Sequence, residues 1–207
     1  RVRAVRDVLG PDGRIRIDAN AAWDVPTAIE AIGQLEEAAG GLEYVEQPCE
    51  RLADLAEVRT VTGVRIAADE TIRRDHADAD LVRDAVDVAI IKVQPSGGVT
   101  AALALAEQLG LPAVVSSALE TSVGLAAGVR LAAALEELPY ACGLATGLLL
   151  DADVLTRPLR PTSGVLRVAD SLDLAPDDDL PSPSEERIRW LLERLERVAV
   201  VRGEEGW

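Results

Sequence analysis

Phenylalanine is absent, and Trp23, Tyr44, Tyr140, Trp190 and Trp207 are the only aromatic residues of this 207-residue chain. Because 48% of the residues are nonetheless hydrophobic, the core must be built from Ala, Val, Leu and Ile, which suits tight helix-on-sheet layers. Positive charge is also scarce. With 21 Lys+Arg against 36 Asp+Glu, the formal charge is −15, which excludes a phosphate-binding surface for nucleic acid and argues against an anionic membrane surface. No apolar run reaches the roughly 18 residues needed to span a bilayer, and no signal peptide opens the chain. The two cysteines, Cys49 and Cys142, lie far apart and read as free thiols of a reduced, cytoplasmic setting. The one histidine, His76 in "RRDHADAD", reads as a surface residue. Lysine is as rare as histidine. Lys92, in "VAIIKVQPSGGVT", is the single lysine, and every other basic residue is arginine.

Short apolar runs alternate with amphipathic stretches. "RVRAVRDVLG" reads as the tail of a helix, with Val2, Val5, Val8 and Leu9 at helical spacing and Gly10 as a stop. "RIRIDAN", "LEYVEQP", "VRIAADE", "VDVAIIKVQ", "LPAVVSS" and "YACGLATG" read as six strands. Five helices fall between them, one capped by Asp24 and another closed by Gly110. Strand–helix alternation predicts a parallel α/β sheet, either an open doubly wound sheet or a (β/α)8 barrel. No G-x-G-x-x-G follows the first strand, so a dinucleotide-binding sheet has no support. The alternation stops near residue 150. A return segment follows, with a short hairpin at Ser163-Gly164, then an acidic Pro-rich linker, then a final helix with Ile188, Leu191, Leu192 and Leu195 on one side. The expected division is a partial barrel over 1–155 and a C-terminal segment over 156–207.

Polar residues end four successive strands: Asp18, Glu46, Asp69 and Lys92. The separations are 46 − 18 = 28, 69 − 46 = 23 and 92 − 69 = 23, about one strand–helix unit each. In a barrel, equivalent strand ends meet at the C-terminal mouth, where active sites sit. Three carboxylates converging there would repel one another unless a cation neutralised them. Hard oxygen ligands without His or Cys select Mg²⁺ or a similar ion such as Mn²⁺, and not Zn²⁺. A lysine on the next strand faces the same pocket, and it can exchange a proton where an arginine cannot. A single acid at a strand end is usually a solvated rim residue, and Asp24, Asp54 and Asp78 read as caps or surface groups.

The stretches "IDAN", "EYVEQP", "AADET" and "IIKVQPSGG" resemble successive strand-end motifs of the enolase superfamily, in its muconate-lactonizing-enzyme-like branch. "SSALETSVGLAAGVRLAAAL" and "YACGLATGLLL" are similar to the o-succinylbenzoate synthase family. The resemblance covers roughly residues 1 to 175. It implies a (β/α)8 barrel of which strands three to eight are present, and a C-terminal segment returning to a capping domain. It implies Asp18, Glu46 and Asp69 as Mg²⁺ ligands, Glu70 as an acid behind them, and Lys92 as a catalytic lysine. Arg16, Asn20, Ser116, Ser117 and Gly143 are the implied substrate contacts. The implied reaction is proton removal α to a carboxylate, a metal-stabilised enediolate, and loss of water. The family's K-x-K motif has no counterpart here, since no lysine exists outside position 92. The chain is therefore expected to be part of a longer protein, with the first catalytic lysine and the N-terminal remainder elsewhere.

Two rival readings stay open. An N-succinylamino-acid racemase or dipeptide epimerase of the same superfamily would use the same metal site. A dipeptide epimerase would be expected to carry an acidic pair at the eighth strand end, where this chain has "GLATG" and only later Asp151 and Asp153. A non-catalytic barrel fragment or scaffold would keep the ladder as a relic.

Overall fold

The computed structural model describes residues 1–74, 78–172, 174–177, 179–180 and 182–204. His76 lies outside the described residues. The chain forms two compact units, Arg1–Ala175 and Pro176–Trp207.

In the first unit the order is α1 (Val2–Leu9), β1 (Arg16–Asp18), α2 (Val25–Ala39), β2 (Tyr44–Glu46), α3 (Leu52–Thr62), β3 (Ile66–Ala68), α4 (Glu70–Arg74), α5 (Ala79–Ala85), β4 (Val88–Lys92), α6 (Val93–Ser96), α7 (Val99–Leu109), β5 (Ala113–Ser116) and α8 (Ser122–Ala134). Two 3₁₀ turns follow, Thr146–Leu149 and Val168–Ser171. The strands make one five-stranded sheet in sequence order, and every pair is parallel. That order needs a helical crossover between neighbours, which α2, α3, α5 and α7 supply.

Local sequence explains the helix limits. Asp24 caps α2, its carboxylate accepting from the Thr27 N–H at 2.9 Å. Gly40 ends α2 in the left-handed region at φ 64°, which a residue with a Cβ adopts at a cost. Arg6 donates to the Ala39 carbonyl and ties α1 to the end of α2.

The sheet curls, and alternate residues face opposite sides. Val45, Ile66, Ala68, Ala89, Ile91, Ala113 and Val115 face outward into one cluster with helix residues Ile32, Leu55, Val58, Val82, Leu109 and Leu125. Each fully buried Leu or Ile there contributes roughly 2 kcal/mol of transfer free energy. Tyr44, Ala67, Val88, Ile90 and Val114 face inward, with Tyr140 packed against them.

The expected sixth strand differs. "YACGLATG" contributes one parallel bridge, Ser116 to Gly143. Gly143 donates to Val115 O at 2.8 Å and accepts from Ser117 N at 3.0 Å. The segment is mostly Ala, Gly and Leu, poor pleated-sheet formers, and among the described strands it has a partner on one side alone. Close approach to α8 holds it instead. A Cβ on Gly128 would meet a Leu144 methyl at 2.7 Å. The hairpin at Ser163-Gly164 forms as expected, with an antiparallel Thr162–Val165 bridge and φ values of 51° and 75°.

The second unit holds α9 (Glu185–Glu204), with Ser184 Oγ accepting from Arg187 N at 3.2 Å. Ile188, Leu191, Leu192 and Leu195 are exposed along it. Among the described residues no helix is long and apolar enough to cross a membrane.

Candidate active site

The inner face of the curl carries two polar layers. Asp18 stands opposite Glu46 in the β1–β2 register, and Glu46 stands opposite Ala67, two residues before Asp69 on the same face. Lys92 pairs with Ser116 at the end of β4 and β5. This stagger is what tilted barrel strands produce. The three acids and the lysine therefore reach one end of the sheet, as the spacing predicts.

Asp69 is the centre of this group. It is 1% exposed, and its two oxygens hold two cations: Lys92 Nζ at 2.5 Å and Arg73 Nε at 3.0 Å. Arg73 also lies 3.6 Å from Glu70. Asp18, at the exposed edge, accepts from the Asn20 N–H at 2.8 Å. Asn20 and Ala21 turn there with φ of 47° and 59°. Glu46 shows what the assembly lacks. Its carboxyl is pushed up to about 8, first by burial, then by the charges of Asp18 and Asp69, with Lys92 pulling down and Glu70 adding to the rise. Behind it, Glu70 Oε2 is buried without a hydrogen-bond partner. Negative charge exceeds the positive charge supplied by the protein, and all the donors are carboxylate oxygens, so a hard divalent cation fits chemically. No group of three or more His, Cys, Asp or Glu among the described residues is gathered tightly enough to hold a metal as the side chains stand. The Lys92 ammonium occupies the Asp69 oxygen that an ion would need.

The raised Glu46 carboxyl has a pH consequence. An ordinary carboxyl titrates near 4 (~4.3) in the unfolded chain. The folded value lies above that, so Glu46 contributes stability that is full below about pH 4 and lost as pH rises through about 8. A divalent cation binding the ionised carboxylates offsets that loss. Added Mg²⁺ should therefore raise the melting temperature more at about pH 8.5 than at about pH 6, as read by thermal unfolding. Equal shifts at the two pH values would count against Glu46 as a metal ligand.

Other residues lie apart from this layer or are already committed. Arg16 stands one layer deeper, on an ion pair with Glu43 at 2.6 Å. Ser117 Oγ is shared between Gly143 O at 3.0 Å and Thr146 Oγ1 at 2.8 Å. Ser116 Oγ lies 3.4 Å from Gly143 O, and a Cβ on Gly143 would meet that hydroxyl at 2.7 Å. Burial pushes the Cys49 thiol up to about 11 and raises that of Cys142, so neither free cysteine is a ready nucleophile at neutral pH.

Sequence reasoning missed two residues. Gln47, fully buried at φ 39°, accepts from Asp69 N (2.9 Å), Thr71 N (3.3 Å) and Thr71 Oγ1 (3.2 Å), and donates to Cys49 O (2.9 Å). It bolts the end of β2 to the end of β3. Gln47→Leu strands these partners and should cost about 3 kcal/mol in denaturant unfolding. A cost under about 1 kcal/mol would show that the bolt is dispensable. Glu120, 7% exposed, follows β5; burial raises its carboxyl, the Ala118 N–H lowers it, and so does the Lys92 charge. The signal for Gln47 was its place beside Glu46 in "VEQP"; Glu120 had none at strand-end spacing.

A parallel curled sheet with a carboxylate ladder and a lysine on successive strand ends defines the class. Residues 1–175 match the Enolase C-terminal domain-like family, and the chain belongs to that family. Its relatives narrow the comparison. The o-succinylbenzoate synthase of Thermobifida fusca (strain YX) is 65% identical over 170 residues, covering 81% of this chain and 53% of that protein. Muconate cycloisomerase from Pseudomonas fluorescens superposes with a TM-score of 0.72 at 30% identity, covering 91% of this chain and 52% of that one. Dipeptide epimerase from Enterococcus faecalis V583, complexed with Mg and dipeptide L-Leu-L-Tyr, does so with a TM-score of 0.65 at 29% identity, covering 77% and 46%. The chain spans about half the length of the curated relatives it matches. Membership of the family implies dependence on a divalent metal ion.

Proposed function

We propose that the chain is the main part of the catalytic barrel of an o-succinylbenzoate synthase. The reaction is syn-dehydration of 2-succinyl-6-hydroxy-2,4-cyclohexadiene-1-carboxylate to o-succinylbenzoate, a carbon–oxygen lyase step of cytoplasmic menaquinone biosynthesis. The observation that carries this reading is the 65% identity to a synthase over 170 residues, 81% of this chain.

Asp18, Glu46 and Asp69 would hold Mg²⁺, as Mg is named for the epimerase complex. The ion would supply positive charge against the anion that forms when the proton α to the carboxylate leaves. Lys92, half-buried and already held in the carboxylate layer, would act from one side of the substrate. It would hold a proton at the reacting carbon or steady the developing negative charge with its ammonium. The partner lysine of a K-x-K motif would come from the N-terminal remainder of the same protein. Arg73 and Glu70 would keep Asp69 oriented from behind.

An epimerase of dipeptides is the second reading, and one of the two acids after the eighth strand is committed elsewhere. Asp153 is spent on α8, accepting from Ser122 N at 2.9 Å, from Ser122 Oγ at 2.8 Å and from Leu155 N at 3.2 Å. The mouth beside Gly143 presents Ser116, Ser117 and Thr146, with Glu120 as the single acid near them in place of a pair. The test is a side-by-side assay of the full-length protein with Mg²⁺ on the cyclohexadiene carboxylate, an N-succinylamino acid and a dipeptide. Dehydration should dominate. Racemisation without dehydration would transfer the chain to the racemase reading, and inactivity on all three would favour a scaffold.

A further inference from the structure

Arg16 does something that neither a substrate contact nor a strand position explains. It lies on β1, at one edge of the sheet, yet its terminal nitrogen donates to Ala141 O at 2.7 Å, 125 residues later and just before the Gly143 bridge at the other edge. The same nitrogen donates to Tyr44 Oη at 3.1 Å, and Nε holds Glu43 at 2.6 Å. The guanidinium carbon sits 4.9 Å from the Tyr44 ring centre and 5.9 Å from that of Tyr140. The two rings meet edge to face at 5.5 Å. Glu43 is 5% exposed at its side chain, and Tyr44 is 2% exposed as a residue. A planar fork whose donors are spread over several nitrogens in fixed directions reaches acceptors on separate sides at once, which the single compact ammonium of a lysine does not match. Directly above this layer, on the same strand faces, stand Asp18 and Glu46.

We propose that Arg16 is a positioning residue: its guanidinium clasps the first strand to the Tyr140–Ala141 segment across the curl and thereby sets the spacing of the Asp18 and Glu46 carboxylates for a divalent cation. The inference rests on the metal reading of the mouth and is independent of the substrate. Two consequences follow from the geometry. Loosening the clasp weakens the hold on the one-bridge segment around Gly143, which is otherwise tied to the sheet by the backbone hydrogen bonds to Val115 and Ser117 and by the Ser117 hydroxyl. It also removes the Arg16 contacts to Glu43 and Tyr44 that join β1 to β2 one layer below Asp18 and Glu46.

The full-length protein is compared with Arg16→Met, Arg16→Lys and Glu43→Gln. A control, Arg59→Met, breaks the Arg59–Asp87 pair, whose carboxylate also accepts from Ile66 N at the opposite end of the sheet. Mn²⁺ binding is titrated without substrate, and amide hydrogen exchange is read without metal. Arg16→Met should weaken Mn²⁺ binding about tenfold, the range for partners that orient metal ligands, and speed exchange at Gly143 and Ser117. Arg16→Lys should not restore either, and Glu43→Gln should move both in the same direction by less. Arg59→Met should lower the melting temperature while leaving Mn²⁺ binding unchanged. Unchanged Mn²⁺ binding and exchange in Arg16→Met, with only KM raised, would overturn the clasp and make Arg16 a substrate contact. If Arg16→Met does not fold, Glu43→Gln decides by the same two readouts. No Mn²⁺ binding by the parent would overturn the metal reading, and the exchange measurement would then decide the clasp alone.

Discussion

Lys92→Met should lower the dehydration rate of the full-length protein by about 10²–10⁴-fold, the usual worth of a positioned acid–base group, while metal binding is retained or tightened. Both halves follow from one contact. Lys92 Nζ lies 2.5 Å from Asp69 Oδ2 and is the cation that competes for the oxygen a metal would use. Methionine keeps most of the stem's volume and removes that charge. Lys92→Arg separates charge from proton transfer: guanidinium stays protonated, so it should keep the electrostatics and still lose most of the activity. Turnover assays with Mg²⁺ titration check all three statements. Near-normal turnover in Lys92→Arg would leave Lys92 a purely electrostatic role. Weaker metal binding in Lys92→Met would mean that the lysine supports the metal site and does not compete with it.

Asp69→Asn should have the largest effect on the folded chain itself. The carboxylate is 1% exposed and carries two cations on its two oxygens. Removing its charge leaves the Lys92 ammonium and the Arg73 guanidinium facing a neutral amide in a half-buried site. Breaking a buried pair from one side costs about 3–5 kcal/mol. The lower end applies, because Glu46 feels the Lys92 charge and can ionise to meet it. With Asp69 neutral, one cause of the raised Glu46 carboxyl disappears, so Glu46 should titrate below about 8. Urea unfolding of the metal-free protein measures the first effect and a pH titration followed by NMR the second. Stability within about 0.5 kcal/mol of the parent, the range of surface changes, would show that the pair is not part of the fold's support.

The strands, their parallel order and the ladder were legible because each rests on local spacing. Buried parallel strands are runs of Val, Ile and Ala, and the period of one strand–helix unit places Asp18, Glu46 and Asp69 at equivalent ends. The sixth strand was over-read from "YACGLATG", since pairing on one side yields a single bridge and the packing of Leu144 on Gly128 holds the rest. Gln47 and Glu120 were not legible as site supports, because the Asp69 and Thr71 groups that Gln47 bonds and the Lys92 charge that Glu120 feels lie more than 20 residues away.

Arg16 draws the boundary between the two kinds of knowledge. The sequence by itself determined the class of fold, the donor chemistry of the mouth and the singular place of Lys92, because residue type and strand period are local properties. Only the tertiary structure decided what each cation holds. Arg16 and Lys92 both stand on inward faces of the sheet, and strand position alone does not separate a clasp from a catalytic group. The curl brings Ala141 to Arg16 and Asp69 to Lys92. A charge in a low-dielectric interior takes its role from the nearest opposite partner, and that partner is set by the fold.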